Sequence, residues 1–155
     1  MSETIKHACI ADIEFFEYLE NHVYDIFDFN ATICEHIAEK NCEIKYNVVM
    51  QDEKEKSLRE ILNLGHTVGR AIETVSYYKL LHGEAFSIGI VAQVMLGCKL
   101  GYISNEEKDR CINLLERIGL PISIPHYIDR EDLIKKCIQI RKYEMENLDL
   151  YFKKV

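Results

Sequence analysis

Apolar residues recur along this chain at the helical period of about 3.6 residues, and nowhere with the strict alternation of a half-buried strand. Behind Asp12, a candidate N-cap, Ile13, Phe16, Leu19 and Val23 share one face. Asn30 opens a longer pattern through Ile33, Ile37, Ile44, Val48 and Val49 that ends near Asp52. Ser57 with Glu60 and Ser104 with Glu107 fit the S-x-x-E capping box, in which hydroxyl and carboxylate satisfy each other's backbone N–H groups. Gly119 followed by Pro121 marks a helix stop, and Asp129 is placed to cap a helix running through Ile140. Ala85 to Leu100 is the most apolar stretch. It is short and interrupted by Gln93 and Lys99, so it reads as a buried central helix rather than a membrane span. From Leu120 to Ile128 the period fails, which predicts an irregular connection. The pattern predicts one compact all-α domain over residues 1–155, with about six to eight mainly antiparallel helices.

Composition narrows this further. A chain of 155 residues, 48% hydrophobic and 29% charged, buries an ordinary globular core, and two prolines with seven glycines are too few for an all-β fold. The net charge of -7, from 26 acidic against 19 basic residues, excludes a nucleic-acid face and docking on anionic lipid. A small anionic substrate stays compatible, because a local group of Lys and Arg can oppose the global sign. Six cysteines without a CxxC pair, and no signal peptide, read as reduced, mostly buried thiols of a cytoplasmic protein, and exclude zinc ribbons and fingers.

Candidate chemistry concentrates in a few stretches. In REILNLGHTVGRAIE, residues 59–73, Arg59, Asn63, His66 and Arg70 follow i, i+4, i+7, i+11 spacing and would form one polar stripe on a helix. Gly65 and Gly69 flank His66, and each glycine costs about 1 kcal/mol inside a helix. Either something must approach this helix closely, or the glycines serve helix–helix packing beneath a solvated stripe. His82, in LLHGEA, stands at the mouth of the apolar helix, where a histidine is commonly a surface or satisfied core residue. Beside His66 it would need one further ligand to hold Zn2+, which catalytic sites bind through three N or O ligands and an open position. Glu3 and Lys6 are one turn apart, the spacing of a plain surface ion pair. Lys45 sits in an apolar helical pattern and either snorkels to solvent or points into a cleft.

Taken together, ETIKHACIADIEFFEYLE, CEIKYNVV with QDEKEKSLR, LNLGHTVGRAIE and LLHGEAFSIGIVAQ resemble the C-terminal domain of the 3-dehydroquinate synthase family. The resemblance covers the chain from its first residues to about Ile124. It implies a cytoplasmic lyase of the shikimate pathway, with zinc (or cobalt) on this helical domain and NAD on an N-terminal partner domain. It further implies a seven-carbon sugar-acid phosphate as substrate, 3-dehydroquinate and phosphate as products, and a homodimer. Position by position, Glu3, His66 and His82 match the family's metal ligands, while Lys6, Lys45, Arg59 and Asn63 match its substrate-binding residues.

The chain departs from the family pattern in three places. No G-x-G-x-x-G turn for NAD occurs, so the chain is expected to be inactive alone. Arg70 stands in GHTVGRAIE where the family shows a second histidine, and an arginine stays protonated and cannot act as a general base. The C-terminal QIRKYEMENLDLYFKKV offers Lys142, Lys153 or Lys154 in place of the family's basic stretch. The competing readings are a related sugar phosphate cyclase with another substrate, and a degenerate, non-catalytic helical domain.

Overall fold

The computed structural model describes residues 1–52 and 58–152, with side chains as far as residue 142. The elements are α1 (Ser2–Ala11), α2 (Ile13–Asn21), α3 (Val23–Phe27), α4 (Ala31–Gln51), a 3-10 helix η1 (Leu58–Asn63), α5 (His66–Val75), α6 (His82–Lys99), α7 (Asn105–Arg117) and α8 (Arg130–Phe152). Among the described residues there is no strand, as the apolar periodicity requires.

The helix boundaries follow the capping chemistry. Asp12 accepts from Phe15 N–H at 2.9 Å to open α2, and Asn30 accepts from Ile33 N–H at 3.4 Å to open α4. Ser104 and Glu107 close their reciprocal box at the head of α7, and Asp129 Oδ1 accepts from the Glu131 and Asp132 N–H groups at the head of α8. Gly119 ends α7 with φ +77°, a left-handed conformation that favours glycine. Ser57 of the other expected box lies outside the described residues, as do Lys153 and Lys154.

Three expectations change. The pattern from Ile13 to Val23 is two helices: at His22 the chain leaves helical geometry, and the imidazole Nδ1 donates to Tyr18 O at 2.8 Å. The helix at Asp129 continues past Ile140 to Phe152. The thiols are not mostly buried; Cys111 is, whereas Cys9 and Cys42 are exposed and Cys34, Cys98 and Cys137 are half-buried.

Helix α6 joins two apolar cores. Its first half puts Ala85, Phe86 and Ile88 against Ala71 and Ile72 of α5 and Leu133 of α8. Ile90, Val91 and Val94 then enter a larger core with Ile5 and Ala8 of α1, Phe15, Phe16 and Leu19 of α2, and Leu114 and Leu115 of α7. Beyond Val94 the helix emerges, and Met95, Leu96 and Leu100 are exposed, so only the first two-thirds is a central helix.

The α5–α6 contact rests on glycine. A Cβ on Gly89 would overlap the carbonyl oxygen of Gly65, and one on Gly69 would come within 2.9 Å of the Phe86 ring. Gly65 itself has φ +84° and donates its N–H to Gln93 Oε1. What approaches the glycine helix so closely is therefore the backbone of α6. The turn at Gly65 also overturns the single helical stripe: Arg59 and Asn63 lie on η1, and His66 and Arg70 begin a separate helix.

Candidate functional site

The first turns of α1 and α6 meet at Ser2 and Gly83, and α5 runs antiparallel to α6, so that His66 at its start faces Phe86 and Glu73 near its end faces His82. Ser2 of α1 packs so tightly on α6 that a Cβ at Gly83 would stand 3.1 Å from its hydroxyl. The His66 ring meets the Phe86 ring edge-on at 4.5 Å between centroids, and the His82 ring lies tilted over the same phenyl at 3.9 Å. Phe86 is one turn beyond His82 on α6, so this contact follows from i, i+4 spacing.

Glu3 and Lys6 are more than a surface pair. Lys6 is 2% exposed, and its ammonium donates to Glu3 Oε2 at 2.7 Å and to Leu62 O of η1 at 2.7 Å. One buried lysine thus ties η1, with Arg59 and Asn63, to the helix that carries Glu3. The second carboxylate oxygen, Glu3 Oε1, is buried without a hydrogen-bond partner. Such an atom costs about 1–3 kcal/mol unless a ligand satisfies it. Burial works to raise the Glu3 pKa, but the hydrogen bond and charge of Lys6, aided by His66 and His7, outweigh it and keep the carboxyl below its usual range.

Each imidazole turns its Nδ1 to an oxygen acceptor. His82 Nδ1 lies 2.9 Å from Glu73 Oε1, and His66 Nδ1 lies 3.4 Å from Leu64 O. Both oxygens only accept, so each Nδ1 is the donor, and Nε2 is the ring atom left free of these bonds. Burial, followed by the charge of Lys6, lowers the His66 pKa, with Arg70 adding to the effect against the opposing pull of Leu64 O and Glu3; the ring is neutral near pH 7. The donor set, one ionised carboxylate with an unsatisfied oxygen and two tethered imidazoles, fits a borderline cation such as Zn2+. It is not drawn together: among the described residues no three His, Cys, Asp or Glu side chains stand close enough to close on a metal ion. Phe86 contacts both imidazoles, and the His82 side chain, 60% exposed, is turned toward Glu73.

The remaining predicted residues surround these groups to different degrees. Arg70 is exposed one turn beyond His66 and acts electrostatically on it. Arg59 is half-buried, its N–H donating to Asp52 Oδ2 at 3.1 Å, and Asn63 is exposed at the end of η1. Lys45 takes the solvent-facing option and lies close enough to lower the His7 pKa. Lys142 is exposed on α8. Sequence reasoning gave no role to Glu73 or His7, which orient or neighbour these groups. The i, i+7 spacing of His66 and Glu73 could have suggested the former. His7, buried with Nδ1 2.7 Å from Asn41 Oδ1, ties α1 to α4. An open cleft of about 500 Å3 between the end of α5 and the start of α8, lined by Thr74, Tyr77, Tyr127 and Lys135, holds none of the predicted residues.

The sequence pattern of the family described as 3-dehydroquinate synthase C-terminal matches residues 1–143. The chain belongs to that family. It is 43% identical over 136 residues to the 3-dehydroquinate synthase of Thermoanaerobacter sp. (strain X514), a match covering 87% of this chain and 38% of that protein. With the 3-dehydroquinate synthase of Acetivibrio thermocellus it shares 45% identity over 121 residues, covering 78% of this chain and 34% of that protein. The chain therefore spans little more than a third of these relatives. Among solved structures, ValA, the 2-epi-5-epi-valiolone synthase of Streptomyces hygroscopicus subsp. jinggangensis 5008 with NAD+ and Zn2+ bound, superposes with a TM-score of 0.79. That superposition covers 89% of this chain and 38% of ValA at 22% identity, which establishes a shared fold. No described helix of this family member is long and apolar enough to cross a membrane.

Proposed function

We propose that this chain supplies the zinc- and substrate-binding half of a 3-dehydroquinate synthase. The reaction converts 3-deoxy-D-arabino-heptulosonate 7-phosphate to 3-dehydroquinate and phosphate, and NAD binding falls to an N-terminal domain beyond this chain. Family membership supports the reaction class. The observation that carries the site assignment is the buried, partnerless Glu3 Oε1 beside a neutral His66.

In this reading Glu3, His66 and His82 hold zinc, which supplies a Lewis acid for a substrate hydroxyl while NAD supplies the hydride acceptor. Lys6 keeps Glu3 ionised, and Glu73 and Leu64 O keep the proton on Nδ1 of the two imidazoles. Lys45, Arg59 and Asn63 bind the carboxylate and phosphate of the substrate through charge-assisted and neutral hydrogen bonds. Arg70 holds phosphate but moves no proton, since its guanidinium does not ionise near neutrality.

The deciding experiment joins the chain to the N-terminal portion of the Thermoanaerobacter relative and follows phosphate release and product identity. Formation of 3-dehydroquinate is expected; no release from a folded, zinc-loaded complex overturns the reading in favour of a non-catalytic domain. A different cyclic product assigns the chain to a sister sugar phosphate cyclase. Zinc content should be about one per chain and should fall in His66→Ala and His82→Ala while helicity persists. Arg70→His is expected to raise turnover, and an unchanged rate would take position 70 out of proton transfer.

A further inference from the structure

Two thiols outside this site face each other where α1 packs on α7. Cys9 Sγ and Cys111 Sγ are 3.7 Å apart, although 102 positions separate them in sequence. Cys111 belongs to the larger core with Ala8, Leu114 and Leu115, so the helices carrying both sulfurs are already in contact. Cys9 is exposed along its flank, and its sulfur is turned inward to Cys111. A thiolate on one sulfur accepts the S–H of the other, which eases the first ionisation of the pair and hinders the second. The hydrogen bond accordingly holds the Cys111 thiol below its usual range, against burial, and together with burial pushes Cys9 well above its own.

We propose that Cys9 and Cys111 form an oxidation site, a dithiol that closes into an intramolecular disulfide under peroxide and clamps α1 to α7. The step balances without another reactant. Peroxide passes one oxygen to the first-ionised sulfur of the pair, giving a sulfenic acid and one water as the O–O bond breaks. The other sulfur then displaces that hydroxyl, which leaves as a second water, and the S–S bond forms. Two thiols are oxidised by two electrons and peroxide is reduced. The sulfurs must close from 3.7 Å to about 2.05 Å, a gap between packed helices that side-chain rotation with a small approach can cover. Because α1 carries Glu3 and Lys6 in the turns preceding Cys9, the clamp restrains the element that presents them. The inference stands on the sulfur geometry and does not depend on the proposed reaction.

The test treats the reduced 155-residue chain with stoichiometric hydrogen peroxide, followed by thiol titration, non-reducing peptide mapping and thermal melting. A single Cys9–Cys111 linked peptide is expected, with a Tm raised by roughly 5–10 °C and restored by a thiol reductant. Cys9→Ser, an exposed substitution that leaves the core intact, should abolish both the link and the shift. The proposal is overturned if Cys9 and Cys111 remain unlinked in oxidised protein with native helicity. It is equally overturned if Cys9 links to another cysteine or another chain, or is carried to higher oxides unpaired.

Discussion

Helices α5 and α6 form two unlike regions at once. Along their length they meet in a seam of glycine and apolar side chains, where Gly65, Gly69 and Gly89 let backbone approach backbone and Phe86, Ile72 and Ala85 are fully buried. At the edge of that seam lie polar groups that are incompletely matched: His82 of α6 is turned to solvent, and Glu3 of the neighbouring α1 holds a buried carboxylate oxygen with no donor. The seam is closed by packing and by the Gly65 N–H bond to Gln93, whereas the rim leaves Glu3 Oε1 without a partner. Stability and candidate chemistry thus meet where this pair of helices joins the start of α1, and a rigid seam is what holds the rim's side chains in register.

The sharpest way to break this division is at Gly89. In an unconstrained helix Gly→Ala would stabilise by about 1 kcal/mol, but here the added methyl meets the Gly65 carbonyl, and Gly89→Ala should destabilise by about 3 kcal/mol or more in urea denaturation. A stabilised variant would show that the seam is not tight. Lys6→Met keeps the apolar stem and removes the donor to Glu3 and Leu62 O; a loss of roughly 1–3 kcal/mol is expected, and a neutral result would place the pair on the surface side of the comparison. Gln93→Leu removes the acceptor for Gly65 N–H, and about 1 kcal/mol should be lost in the same assay, less than at Gly89.

The smallest effect is a pH slope. Burial lowers the His7 pKa, followed in size by the opposing Asn41 hydrogen bond and then the charge of Lys6, so the unfolded chain binds a proton that the folded one resists. Stability from this group is therefore present above the unfolded value of about 6.5 and falls as pH drops through and below it. The Glu3 shift has the same sign at lower pH: its contribution is held above the ordinary carboxylate value and is lost as the carboxyl protonates. His7→Gln should flatten the slope between pH 7 and 5 in thermal melts (about those limits, set by the histidine pKa). An unchanged slope would move the titration elsewhere.

Much of this was legible in advance because local rules and tertiary packing agree. Asp12, Asn30, Ser104 and Asp129 cap the helices their spacing announced, since a cap depends only on residues within one turn. The glycines around His66 signalled a close approach, but the pattern could not say what approached, because Gly89 lies in another helix. The stripe from Arg59 to Arg70 failed at Gly65, where a left-handed turn is stabilised by contacts with Ile90 and Gln93 that no local period encodes. The site residues were named by family resemblance. Their environment was not visible: the burial of Lys6 and its bond to Leu62 O join positions 56 apart in the chain.

The antiparallel α5–α6 pair sets opposite helix ends side by side, with the His82 imidazole at the start of α6 against Glu73 in the last turns of α5. Each helix N-terminus carries the equivalent of roughly half a positive charge from its aligned peptide dipoles. The last turn of α5 carries the opposite partial charge, so the two dipoles of the hairpin oppose one another and the field at that end is left to side chains such as Glu3, Glu73 and Glu84.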